Sequence, residues 1–118
     1  MGMDALRNLK VWRRACRLSV DLYKAAATCK DYGFKDQVTR SALSIPSNIA
    51  EGYEKDSKKE FIRFLRIAKG SCGELWTQLH IGIEVGLVEK EIGKCFLNEV
   101  IELSKMLQGL IKYYQPPE

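Results

Sequence analysis

Few side chains in this chain have types and spacing suited to chemistry, and they concentrate in one stretch. In Ser44-Ile45-Pro46-Ser47-Asn48-Ile49-Ala50-Glu51-Gly52, a proline, an amide and a carboxylate interrupt a run otherwise suited to a buried helix. Pro46 removes a backbone donor, and Asn48 and Glu51 need partners if buried. Asn48 and Glu51 are three apart and share a helix face, where Glu60 or Glu74 could join them. Catalysis by paired carboxylates would need two acids converging on a pocket. The usual work of such groups is a hydrogen-bonded network that fixes register between helices or at a subunit joint. Asn48, Glu51, Gly52 and Glu60 are read here as that kind of structural polar motif. A di-iron centre would require Glu-x-x-His, and the residue three before His80 is Thr77. Cys16, Cys29, Cys72 and Cys95 are scattered, with no CxxC pair to hold zinc. No catalytic residue, metal or cofactor is expected, and the chain is read as a non-enzyme.

The second kind of chemistry is charge. Of 118 residues, 29% are charged, and the net charge is +4. The excess is uneven: the sequence through Gly70 is strongly basic, and the remainder is acidic. Lys10, Arg13, Arg14 and Arg17 lie on one side of the first predicted helix. Lys58, Lys59, Arg63, Arg66 and Lys69 lie early in the third. Such residues can contact phosphates without reading bases. They can equally form a solvated face, or meet the acidic half of a neighbouring copy. No helix-turn-helix or RNA-binding sheet motif is present, so any binding should be insensitive to sequence.

These residues must be carried by helices, because no segment alternates apolar and polar residues over strand length. Four helices are predicted, at about 8–29, 34–53, 58–86 and 89–114. The first carries two apolar stripes, Leu9-Trp12-Cys16-Ser19-Tyr23-Ala26 and Val11-Ala15-Leu18-Leu22-Ala25, and is ended by a turn at Gly33. The second has small residues along Val38, Ala42, Ile45, Ile49 and Gly52, and is expected to run on, kinked, through Pro46. Ser57 and Glu60 have capping-box spacing at the start of the third, which Gly86 ends. Gly70, Gly73 and Gly82 inside it each cost about 1 kcal/mol against alanine, and close helix contact would offset that. Ile92, Phe96, Val100, Leu103, Leu107, Leu110 and Tyr114 make the stripe of the fourth. Short joints between long helices give an all-α, single-domain, antiparallel up-down-up-down four-helix bundle. No apolar run is long enough to span a bilayer, and the first residues do not read as a signal peptide, so a cytoplasmic, membrane-free protein is expected.

One order of residues is distinctive: Gln37, Arg40, Ser44-Ile45-Pro46, Asn48-Ile49-Ala50-Glu51-Gly52, Ser57, Glu60-Phe61, Phe64-Leu65, Ile67-Ala68, Gly70-Ser71 and Glu74-Leu75. It resembles the four-helix-bundle family encoded within intervening sequences of 23S ribosomal RNA genes. That family is often labelled ribosomal, and is related to the accessory variability determinant proteins of diversity-generating retroelements. The resemblance runs from about Leu9 to Leu110. It implies a homo-oligomer, as a pentameric ring, and no catalytic residues. For the retroelement relatives it implies a positively charged ring that binds RNA or DNA and partners a reverse transcriptase. Arg40 joins the candidate nucleic-acid contacts on this ground, although Thr39 stands where relatives often carry a second cation. The expected function is a non-enzymatic oligomeric scaffold engaging nucleic acid through Lys10, Arg13, Arg14, Arg17, Arg40, Lys59, Arg63 and Arg66. The alternative is a protein-interaction module with no nucleic-acid role.

Overall fold

Side-chain caps at Asp31, Ser57 and Glu89 mark where three of the four long helices begin, while the first starts after Leu9 without one. The computed structural model describes residues 2–117. A short 3-10 turn, Met3–Asn8, precedes α1 (Lys10–Ala26), α2 (Tyr32–Glu54), α3 (Lys58–Glu84) and α4 (Lys90–Tyr114). The 3-10 turn was not expected from the sequence. It buries Leu6 against the bundle. α1 stops at Ala26, and Gly33 lies inside the first turn of α2 rather than in the joint. The real start signal is Asp31, whose carboxylate accepts from Phe34 N at 3.0 Å.

Each helix packs on its neighbours in sequence, α1 on α2, α2 on α3 and α3 on α4, and α1 closes against α4. Among the described residues, no Cα atoms of the diagonal pairs come within 8 Å of each other. This is the antiparallel four-helix arrangement the patterning predicts. α1, α3 and α4 point Val11, Ala15, Leu18 and Leu22, then Leu65, Ala68, Cys72, Leu75 and Leu79, then Val100, Leu103 and Leu107 into one core. α2 adds Val38, Ala42, Ile45 and Ile49.

The outer stripe of α1 differs from expectation. Trp12 and Cys16 are only half-buried and Tyr23 is exposed, because α1 contacts α4 more lightly than it contacts α2. On α4 the core stripe includes Leu97 and Ile111, while Ile92 faces out.

α2 passes through Pro46 as one unbroken helix, and Pro46 itself is buried. The carbonyls near the proline receive side-chain donors. Ser44 Oγ donates to Ser41 O at 2.7 Å, and Asn48 Nδ2 donates to Ser44 O at 2.8 Å. The carbonyl that Pro46 leaves without its regular donor is that of Ala42, four residues back, and these two back-bonds fall on the carbonyls either side of it.

α3 begins with half a capping box. Ser57 Oγ accepts from Glu60 N at 3.3 Å, but the Glu60 carboxylate turns to Arg63 instead of reaching back. The other end of α3 is a Schellman motif. Gly86 takes φ +81, Gly86 N donates to Ile83 O, and Leu87 N donates to Gly82 O at 2.8 Å.

Two glycines let the helices approach. A methyl group on Gly52 would lie 2.6 Å from Phe64 Cβ, so α2 runs directly under the Phe64 ring of α3. Gly82 lies under the Phe34 ring and Val88 in the same way. Gly70 and Gly73 behave otherwise: each faces open space, not the small surface of α2. Replacing Gly52 with alanine should therefore cost about 1–3 kcal/mol through overpacking against Phe64. Gly109→Ala on the exposed side of α4 should gain up to ~1 kcal/mol of helix propensity. Urea unfolding of the two variants checks both signs.

Candidate nucleic-acid interface

The cations that the sequence pools into one basic face are divided by the fold. Lys10, Arg13 and Arg17 project from α1, and Lys59, Arg63 and Arg66 from α3. These helices occupy opposite corners of the bundle, so their outer faces look in different directions.

Arg14 leaves the group altogether. Its guanidinium reaches across to α4, where Nε donates to Glu99 Oε2 at 3.0 Å and Nη2 donates to the other carboxylate oxygen. Its remaining nitrogen meets Met106 Sδ at 3.5 Å. The hydrogen bond to Glu99 raises the Arg14 pKa, against a smaller opposing effect of burial. A bidentate pair only about one-third exposed is a structural clasp between α1 and α4. Arg14 is thus engaged by Glu99 and lies outside the group of solvent-facing cations.

The others differ in how free they are. Arg17 pairs with Asp21 at 3.0 Å and Arg40 with Asp36 at 3.1 Å, each one turn away on its own helix. Arg13 donates to the carbonyl of Arg7 at 2.6 Å. Arg63 donates to Glu60 at 3.1 Å and also lies over the Phe64 ring, 4.5 Å from its centre. That hydrogen bond holds the Glu60 carboxyl below the usual carboxylate range. Exposed i,i+3 and i,i+4 pairs of this kind are worth little and exchange readily with another anion. Among the described residues, Lys10, Lys58, Lys59, Arg66 and Lys69 have no ion pair. On α3 they form the larger uncompensated group.

The polar motif of α2 is local. Asn48 is half-buried and bonds within its own helix, without a hydrogen bond to another helix among the described residues. Glu51 is exposed, and its charge is felt by Arg63. Gly52 is the point of closest approach to α3, and Glu60 is bound to Arg63. The four residues therefore do not form a converging acid site. No cluster of three or more His, Cys, Asp or Glu that could hold a metal occurs among the described residues, and no helix there is long and apolar enough to cross a membrane.

Tyr114 lies half-buried at the end of the α4 stripe where the sequence placed it, but the sequence assigned no role to the aromatic pair it forms with Tyr113. Tyr113 is 78% exposed and stands edge-on to Tyr114, with ring centres 4.9 Å apart. Tyr114 packs edge-on against the buried Phe61 at 5.2 Å. The adjacent Tyr-Tyr pair just ahead of Pro116-Pro117 was the available signal.

Fold and surface together define an all-α bundle with a divided basic exterior. The model of the 23S rRNA-intervening sequence protein family matches residues 7–109, and the chain belongs to that family. A solved structure from Bacteroides thetaiotaomicron VPI-5482, described as a protein of unknown function from the S23 ribosomal protein family, is similar at 27% identity and a TM-score of 0.80. The match covers 86% of this chain and 98% of that one. No functionally curated protein matches.

The four cysteines are free thiols that differ in burial. Burial pushes Cys72 up to about 12, and burial also raises Cys16. Cys95 is exposed on α4. At about pH 8 iodoacetamide should alkylate Cys95 readily and leave Cys72 unmodified until the protein unfolds, because the thiolate is the reacting species. Peptide mass spectrometry with and without urea reads this directly.

Proposed function

We propose that this protein is a non-enzymatic scaffold that assembles with copies of itself, as a ring of five, and engages RNA or DNA through its cations in the cytoplasm. The observation that carries the reading is the set of uncompensated cations along the outer side of α3, separate from any acid cluster. Phosphate contacts of this type give binding that tolerates any sequence.

Self-association is supported by apolar surface left open on the α3–α4 side. Trp76 and Ile101 are each 40% exposed beside Gly73, where a methyl group would meet nothing within 4 Å. Cys72, Val100, Ser104 and Lys105 complete a shallow groove there of about 380 Å³. Repeating a weak basic patch around a ring raises its effective strength without any new contact. A partner protein docking on the same helical surface is the competing reading. It would leave the positive charge incidental.

The test is a titration of the intact protein with labelled RNA, beginning at low salt. Four phosphate contacts predict a loss of affinity of about 100-fold between ~50 and ~200 mM salt. Replacing Lys59 and Arg66 with glutamine should weaken binding and reduce that salt dependence. Absence of binding, or binding that ignores salt, contradicts the proposal.

A further inference from the structure

We infer that the cleft between the start of α3 and the end of α4 is a binding site for single-stranded nucleic acid, with an unpaired base stacked on Tyr113. This deepens the nucleic-acid reading above and rests on it.

The cleft is open and has a volume of about 1150 Å³. Its cationic wall is Lys58, Lys59, Arg63 and Arg66, with Glu60 the one acidic residue among the described residues of the lining. Glu60 is already occupied by Arg63. Lys59, Arg63 and Arg66 recur at helical steps and form a row ~10 Å long on α3, enough to follow a phosphate backbone. Lys58 and Lys59 stand in the first turn of α3, where the helix dipole disfavours cations and favours anions. Placing two lysines there is unfavourable for the free protein, and a bound phosphate reverses the sign of that interaction.

The rest of the lining is largely aromatic and apolar. Tyr113 and Tyr114 lead into Pro116 and Pro117, and Ile62 and Ile67 contribute from α3. Tyr113 is held at the end of a run of edge-on rings. Tyr53 meets Phe61 at 6.0 Å, Phe61 meets Tyr114 at 5.2 Å, and Tyr114 meets Tyr113 at 4.9 Å. Phe61 is buried in the core, so the run orders an exposed ring from within. A pre-positioned ring beside a row of cations matches the two demands of a single strand: a surface for a base and charge for its backbone. A duplex keeps its bases stacked on one another and offers the ring nothing. An acidic peptide would satisfy the cations but gain no base stacking, so it should compete weakly.

The experiment compares, at one fixed salt concentration, a labelled oligouridylate of a dozen nucleotides, the matching oligothymidylate, and an RNA duplex of the same length. Both single strands should bind the intact protein more tightly than the duplex, although the duplex carries twice the phosphates. Tyr113→Ala should weaken single-strand binding about 10-fold and leave duplex binding unchanged. Tyr113→Phe should bind as the parent does. Because Tyr113 is mostly exposed, urea unfolding should show that both variants remain as stable as the parent.

Single strands and duplex bound alike, with no effect of Tyr113→Ala, would overturn this site while leaving the broader electrostatic reading intact. Failure of every nucleic acid to bind would overturn both. Displacement of the oligouridylate by polyglutamate at matched charge, as effective as displacement by unlabelled strand, would also overturn the stacking site and assign the cleft to an acidic protein segment.

Discussion

Gly52 lies under Phe64, and Gly82 lies under Phe34; these two missing side chains set how near α2 and α3 can come. Each glycine costs the helix about 1 kcal/mol against alanine. Burial of a phenylalanine side chain returns about 1.5–3 kcal/mol. The exchange is favourable only if the rings sit directly on the opposing backbone, and they do. Phe61 and Phe64 together fix the rotation of α3 about its axis. That rotation turns Lys59, Arg63 and Arg66 outward and places the start of α3 beside the end of α4. The basic wall of the cleft is thus a consequence of close packing on the helix's other side.

Charge in this molecule is organised by distance. The bundle measures 45 × 29 × 21 Å, while screening at physiological salt acts over about 8 Å. Cations on α1 and α3, at opposite corners, therefore act independently within one copy. Arg14 is drawn into the Glu99 clasp and adds nothing outside. A single chain offers two modest basic surfaces, not one strong one. Assembly would change this, because neighbouring copies can bring like surfaces together. The exposed Trp76 and Ile101, next to a bare stretch of backbone at Gly73, are where such assembly would remove apolar area from water.

Helix identity was legible because each helix carries a long periodic core, and because Ser57 and Gly86 mark the ends of α3 with unambiguous chemistry. The family could be read from the block around Asn48 to Gly52. What the sequence concealed was which of two adjacent stripes wins. On α4, Ile92 and Leu97 are both apolar, yet Leu97 is buried and Ile92 is half exposed. Gly70 and Gly73 have the same type and spacing as a close-contact glycine, yet face open space, since type alone does not specify a helix's rotation. The expectation of an interhelical network at Asn48 met a nearer partner: Ser44 O, one turn back, beside the proline. The basic residues were legible as a class, but not as two surfaces. Their division depends on which helices end up diagonal. The tyrosine ladder depends on Phe61 meeting Tyr114 across more than fifty residues of chain, which no local pattern encodes.

The claim on which most depends is that copies of this bundle assemble and share their charge. Multi-angle light scattering on the full chain at micromolar concentration measures this without reference to any ligand. The account predicts one discrete species whose mass is about five times the 13.5 kDa chain, stable to dilution and to moderate salt. A single species at the mass of one chain across that range would contradict it.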